Sequence, residues 1–123
     1  MKTFKVLIVE DAPFIREILV LYLEKVEGCQ FEVEEAENGE EGFEYFISFQ
    51  PDLIFMDIVM PIVSGIECTR KIRALNKKIP IIGLSTLTDG PTINNLKKAA
   101  LRSNLDPYAQ HTTQRLEEVL HHV

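Results

Sequence analysis

Tryptophan is absent from this chain of 123 residues, and only two cysteines occur, Cys29 and Cys68. Neither forms a CxxC pair, which argues against a zinc site and against a disulfide framework and fits a reducing compartment. No uninterrupted apolar run approaches the roughly 20 residues that span a bilayer. The N-terminal run MKTFKVLIVED meets two carboxylates and lacks a small-residue cleavage site, so it does not read as a secretory signal. Basic residues are scarce as well, 13 against 19 acidic, for a net charge of −6 and a pI near 5.0. A nucleic-acid-binding domain carries the opposite balance, so neither nucleic acid nor membrane is an expected partner. Six glycines and six prolines, with no repeat and no low-complexity tract, exclude collagen-like and disordered classes.

What is present is 46% hydrophobic and 26% charged residues, the balance of one globular domain over residues 1–123. The charge is unevenly placed. Residues 1–67 hold 15 acidic and 4 basic side chains, whereas residues 68–123 hold 4 acidic and 9 basic.

Apolar runs alternate with helical periodicity, as in a parallel α/β sheet. Phe4 and Val6–Val9 predict a strand buried on both faces. Ala12 to Val26 predicts an amphipathic helix with Ile15, Ile18, Leu19, Tyr22 and Val26 on its inner stripe, stopped by Gly28. Phe31, Val33 and Ala36 interleave with Glu32, Glu34 and Glu35, which suits an edge strand. Asn38-Gly39 reads as a turn before a short helix with Phe43, Phe46 and Ile47, closed by Pro51-Asp52. Leu53–Met56 predicts a third strand, and Ile66 to Leu75 a helix with Ile72 and Leu75 inward and Arg70, Lys71 and Arg73 outward. Ile79–Leu84 predicts a fourth strand, followed by a helix over Thr92–Leu101, a fifth strand near Ser103–Leu105 and a last helix over Thr112–His122. Right-handed crossovers place helices on both faces of one doubly wound sheet.

In such sheets the ligand site lies beyond the carboxyl ends of the strands. Those ends deliver Glu10 and Asp11, then Asp57, then Ser85 and Thr86, then Asp106-Pro107. Asp11 alone could cap the first helix, with Pro13 in its first turn. Three acids at neighbouring strand ends, with hydroxyls at a third, exceed what capping explains. Converging carboxylates repel unless a cation or proton intervenes, and oxygen-only ligation suits Mg²⁺. Cys29 and Cys68 read as core thiols, His111, His121 and His122 as surface groups, and Phe43, Phe46 and Phe49 as packing.

The runs VLIVEDAPFIREIL, DLIFMDIVMPIVSGIECTRKIR and IPIIGLST resemble the receiver domain of two-component response regulators, over nearly the whole chain. The resemblance implies a flavodoxin-like fold with strand order 2-1-3-4-5. It implies that Glu10 and Asp11 bind Mg²⁺, that Asp57 accepts a phosphoryl group, that the Val59 carbonyl is a further metal ligand, and that the Ser85 hydroxyl meets the phosphoryl oxygen. The implied donor is a histidine kinase or phosphotransfer protein. The implied output is a protein contact through helix 4, strand 5 and helix 5, from a cytoplasmic monomer or weak dimer without enzymatic activity of its own.

Two positions depart from the pattern. Asp106 stands where the family has a lysine before a proline, and Ser103 where it often has an aromatic ring. An anion at position 106 would tighten divalent binding and weaken phosphoryl binding, which leaves room for a pseudo-receiver that docks partners without phosphorylation. A phosphatase of the haloacid-dehalogenase type needs an acid two residues past Asp57, where Val59 stands. A dinucleotide site needs a glycine-rich loop, where Glu10-Asp11-Ala12-Pro13 stands.

Overall fold

Leu53, Ile54, Phe55 and Met56 are all buried, and a strand buried on both faces must lie inside a sheet covered on each side. The computed structural model describes residues 2–57, 60, 63–84, 90, 92, 94 and 95. Its elements are β1 (Lys2–Val9), α1 (Pro13–Glu24), β2 (Cys29–Ala36), α2 (Gly39–Phe49), β3 (Leu53–Met56), α3 (Gly65–Leu75) and β4 (Ile81–Gly83). The four strands are parallel in the order β2-β1-β3-β4. This is the expected doubly wound α/β architecture. The expected fifth strand, the last helix and all but a few positions of the Thr92–Leu101 helix lie outside the described residues.

Because successive strand side chains point to opposite faces, β1 feeds two cores. Phe4, Val6 and Ile8 pack with Leu19, Leu23 and Val26 beneath α1, joined by Leu53, Phe55 and Ile82. Leu7 and Val9 pack on the other side with Ile54, Met56, Cys68, Ile72 and Ile81, beneath α2 and α3. The acidic β2 is the edge strand, as its alternation with glutamates predicts. Both cysteines are buried and free, in agreement with their reading as core thiols.

The helices differ from expectation in phase and in their ends. Leu19 and Val26 are buried and Tyr22 packs against them as expected, but Ile15 and Ile18 are exposed, and Leu23 joins the buried stripe of α1 in their place. The helix stops at Glu24, and Gly28, with φ of 90°, serves the turn into β2 rather than the helix end. Asn38 is not a turn residue but the cap of α2, its Oδ1 accepting from the Glu41 amide at 2.8 Å. Ile47 is exposed, and α2 ends on Gln50 in the left-handed region, with φ of 52°. In α3, Leu75 is 63% exposed and Arg73 only 4%, the reverse of the expected inward and outward assignment. Arg73 lies on the same stripe as Gly65, Cys68, Thr69 and Ile72. Its apolar stem can therefore be buried while its Nη1 donates to the Asn76 carbonyl at the helix end, 3.0 Å away.

The loop after β3 is tied to α2. The Gly39 amide donates to the Val63 carbonyl at 3.1 Å, and the backbones lie so close that a Cβ on Gly39 would collide with that carbonyl oxygen. Gly39→Ala is therefore expected to lower stability by about 1–3 kcal/mol, the usual cost of forcing atoms into a packed contact. Thermal or urea unfolding checks this, and an unchanged midpoint would mean that the loop yields freely.

Candidate functional site

Parallel register fixes the site. Val9 of β1 pairs with Met56 of β3 on one side and with Ala36 of β2 on the other. The next residue along β1 is Glu10 and the next along β3 is Asp57, so both emerge side by side at the carboxyl edge of the sheet. Their backbones are held there, the Asp57 amide donating to the Val9 carbonyl at 2.9 Å and the Glu10 amide to the Ala36 carbonyl at 3.0 Å. Asp11 follows in the turn before α1. Carboxylate oxygens of Glu10, Asp11 and Asp57 come within 4.8 Å of one another.

The three acids differ in burial: Glu10 is buried, Asp57 half-buried and Asp11 exposed. Burial disfavours the ionised Glu10 carboxylate. The hydrogen bond with Asp57, the charge on Asp57 and the charge on Asp11 all act in the same direction, against an opposing hydrogen bond from the Ala12 amide. Together they push Glu10 up to about 7. At neutral pH the cluster is therefore starved of positive charge and sits near the point of taking up a proton. A hard divalent cation bound by oxygens relieves the same repulsion, and three convergent carboxylates are the donor set that such a cation takes.

The capping alternative for Asp11 does not hold. Ala12 occupies the N-cap of α1, no side chain caps that end, and Pro13 stands in its first turn as expected. Thus the structure brings Glu10, Asp11 and Asp57 together. Val59, Ser85, Ser103 and Asp106, and the face built from helix 4, strand 5 and helix 5, lie outside the described residues.

One participant was missed in the sequence reading. Arg16 of α1 donates from Nη1 to the Glu10 carbonyl at 2.8 Å and to the Asp11 carbonyl at 3.4 Å, and from Nε to the Glu35 carboxylate at 3.1 Å. The signal available was a single cation between Lys5 and Lys25 in an acid-rich half of the chain, one to two helical turns past the acidic pair.

Comparison with known proteins places the chain in a family. A family model described as the response regulator receiver domain matches residues 6–106. The chemotaxis protein CheY of Halobacterium salinarum is 37% identical over 105 residues, covering 85% of this chain and 81% of that protein. The probable C4-dicarboxylate response regulator DctR of Bacillus subtilis is 33% identical over 108 residues, covering 87% of this chain but only 47% of that protein. A protein-glutamate methylesterase/protein-glutamine glutaminase of Pseudoalteromonas atlantica is 40% identical over 85 residues, and the match spans 22% of its length. Among solved structures, the response regulator protein TrrA of Thermotoga maritima in complex with Mg²⁺ and BeF aligns with a TM-score of 0.64 at 33% identity, over 98% of this chain and 100% of that one. The Vibrio cholerae chemotaxis protein CheY4 aligns with a TM-score of 0.61 at 27% identity, over 96% of this chain and 99% of that one.

The raised Glu10 carboxyl has a pH consequence. The folded chain holds this proton more tightly than the unfolded chain, so the ionised group costs stability above about pH 7. That cost is relieved as pH falls from 7 toward the ordinary value of 4.5. In metal-free solution Glu10→Gln is expected to raise stability at pH 8 by on the order of 1–3 kcal/mol and to have a much smaller effect near pH 5. Thermal unfolding at the two pH values measures it, and an equal effect at both would mean that Glu10 is ionised freely in the fold.

Proposed function

The chain belongs to the response regulator receiver family, and on that premise we propose that it is a phosphoaccepting signalling domain in which Asp57 takes a phosphoryl group with Mg²⁺ held by Glu10 and Asp11. The observation that carries this is the convergence of the three carboxylates within 4.8 Å at the carboxyl edge of β1 and β3. Asp57 is the nucleophile because it projects from the central sheet and is open enough to meet a donor, whereas Glu10 is 6% exposed. A carboxylate oxygen of Asp57 attacks the phosphorus of a phosphohistidine. The new O–P bond forms an acyl phosphate as the P–N bond breaks, and the departing imidazole takes up a proton. Bound Mg²⁺ would offset the negative charge that nucleophile and phosphoryl oxygens bring to one place. Val59 would add its carbonyl to the metal ligands, and the Ser85 hydroxyl would donate to a phosphoryl oxygen.

The donor is a histidine kinase or phosphotransfer protein, and the output is a protein contact through helix 4, strand 5 and helix 5. The receiver spans residues 1–123 and works in the cytoplasm as a monomer or weak dimer, without an enzymatic activity of its own. Two free buried cysteines support the reducing compartment, and no helix among the described residues is long and apolar enough to cross a membrane. A pseudo-receiver is the second reading, favoured by Asp106 in place of the family's lysine and by Ser103 in place of its aromatic ring.

Intact-protein mass after incubation with Mg²⁺ and a small acyl phosphate donor separates the two. A single phosphoryl adduct on the native chain that is missing from Asp57→Asn is the expected result. No adduct on either would favour the pseudo-receiver. Asp106→Lys is expected to weaken Mg²⁺ affinity and to raise the yield or lifetime of the phosphorylated form, since it replaces an anion with a charge-assisted donor. Mg²⁺ titration of both forms checks it, and equal affinities would mean that Asp106 does not reach the site.

A further inference from the structure

We infer that Arg16 is a positioning residue for the acidic pair, fixing the direction in which Asp11 presents its carboxylate. The inference rests on the reading of Glu10 and Asp11 as cation ligands. A guanidinium is a rigid planar fork that can serve partners in different directions at once. Here Nε is held by the Glu35 carboxylate near the end of β2, at 3.1 Å, while Nη1 reaches the Glu10 carbonyl at 2.8 Å and the Asp11 carbonyl at 3.4 Å. Those two carbonyls belong to the peptide units on either side of the Asp11 Cα. Holding both sets the Asp11 backbone dihedrals and with them the direction of its Cβ.

Asp11 needs this support more than its partners do. Glu10 and Asp57 are anchored by sheet hydrogen bonds to Ala36 and Val9. Asp11 lies one step past the sheet and is the exposed member of the cluster, so neither a strand nor packing orients it. The Arg16 side chain is 13% exposed against 45% for Glu35, so the guanidinium is far better shielded than in an ordinary surface pair. Its charge meets backbone carbonyls and Glu35, so its influence on the cluster runs through the turn.

Calorimetric titration of the full chain with Mg²⁺ tests the inference. Arg16→Gln is expected to weaken affinity by about tenfold, at the low end of what partners one shell out from metal ligands contribute, with Arg16→Lys intermediate. In an Asp11→Asn background the same Arg16→Gln change is expected to cost clearly less, because no Asp11 carboxylate remains to be oriented. An Arg that merely stabilises the fold would lower the unfolding midpoint and leave the Mg²⁺ affinity of the folded protein unchanged in every background, and that result overturns the inference. Should Arg16→Gln fail to fold, Glu35→Ala removes the outer anchor at an exposed position. It is expected to weaken Mg²⁺ binding at least roughly twofold through the freed guanidinium, and an unchanged affinity would overturn the inference equally. If the native chain binds no Mg²⁺, both the inference and the reading of the acidic pair fall. If it binds and Arg16→Gln binds as well, only the role of Arg16 falls.

Discussion

The pairing of Val9 with Met56 governs the site. Two parallel strands in that register must deliver their next residues to the same point, and here those residues are Glu10 and Asp57. A one-residue slip would turn each strand inside out, since its side chains alternate between the two cores. Leu7 and Val9 face one core and Val6 and Ile8 the other, all fully buried, so a slip would rearrange both at once. The hydrophobic cores therefore enforce a juxtaposition that electrostatics alone would oppose. Burial first, and then the neighbouring Asp57, push Glu10 up to about 7, and a cation would relieve the part of that shift that the neighbouring charges cause.

How much of this was legible in the sequence follows from which interactions periodicity encodes. Leu53–Met56 could be bounded to the residue because four apolar side chains in a row have few other uses, and Asp57 then fell at a strand end. The edge position of β2 was legible from its glutamates. The inner face of α1 was legible only in part: Leu19, Tyr22 and Val26 pack inward as expected, but Ile15 and Ile18 fit a helical stripe as well as Leu23 does, and only tertiary packing selects among them. Arg73 was misassigned because a long stem can be buried while its charged head finds a carbonyl. Arg16 escaped for a related reason: two of its three contacts are with backbone carbonyls, which every residue possesses and no pattern marks. The roles given to Val59, Ser85, Ser103 and Asp106 rest on family resemblance and on no described contact.

Comparing the three helix starts shows what the site costs the fold. α2 opens with a capping Asn38 and with Glu40 and Glu41 in its first turn, and α3 opens with a capping Ser64 and Glu67. Each arrangement satisfies an orphan amide and complements the helix dipole. α1 has neither a side-chain cap nor an acidic residue in its first turn, although two carboxylates stand immediately before it. A missing cap alone forgoes about 1 kcal/mol. Pro13 softens the loss by removing one amide that would otherwise need a partner, and the long 3.4 Å contact from the Ala12 amide to Glu10 answers another only weakly.

The acids are withheld from the helix because they are committed to the cluster, and the turn between β1 and α1 then needs another fastening. Arg16 reaches back from α1 to the carbonyls of that turn and outward to Glu35 near the end of β2, so one side chain joins helix, turn and edge strand. The fastening uses backbone oxygens and an acid on a neighbouring strand, leaving the side chains of Glu10 and Asp11 unclaimed by the guanidinium. A cation that instead paired directly with either carboxylate would lower the repulsion in the cluster and with it the site's appetite for a divalent ion. Holding the turn by its carbonyls fixes the backbone that carries the carboxylates without pairing a guanidinium with either of them, which leaves their oxygens free for a hard cation beside a phosphoryl acceptor.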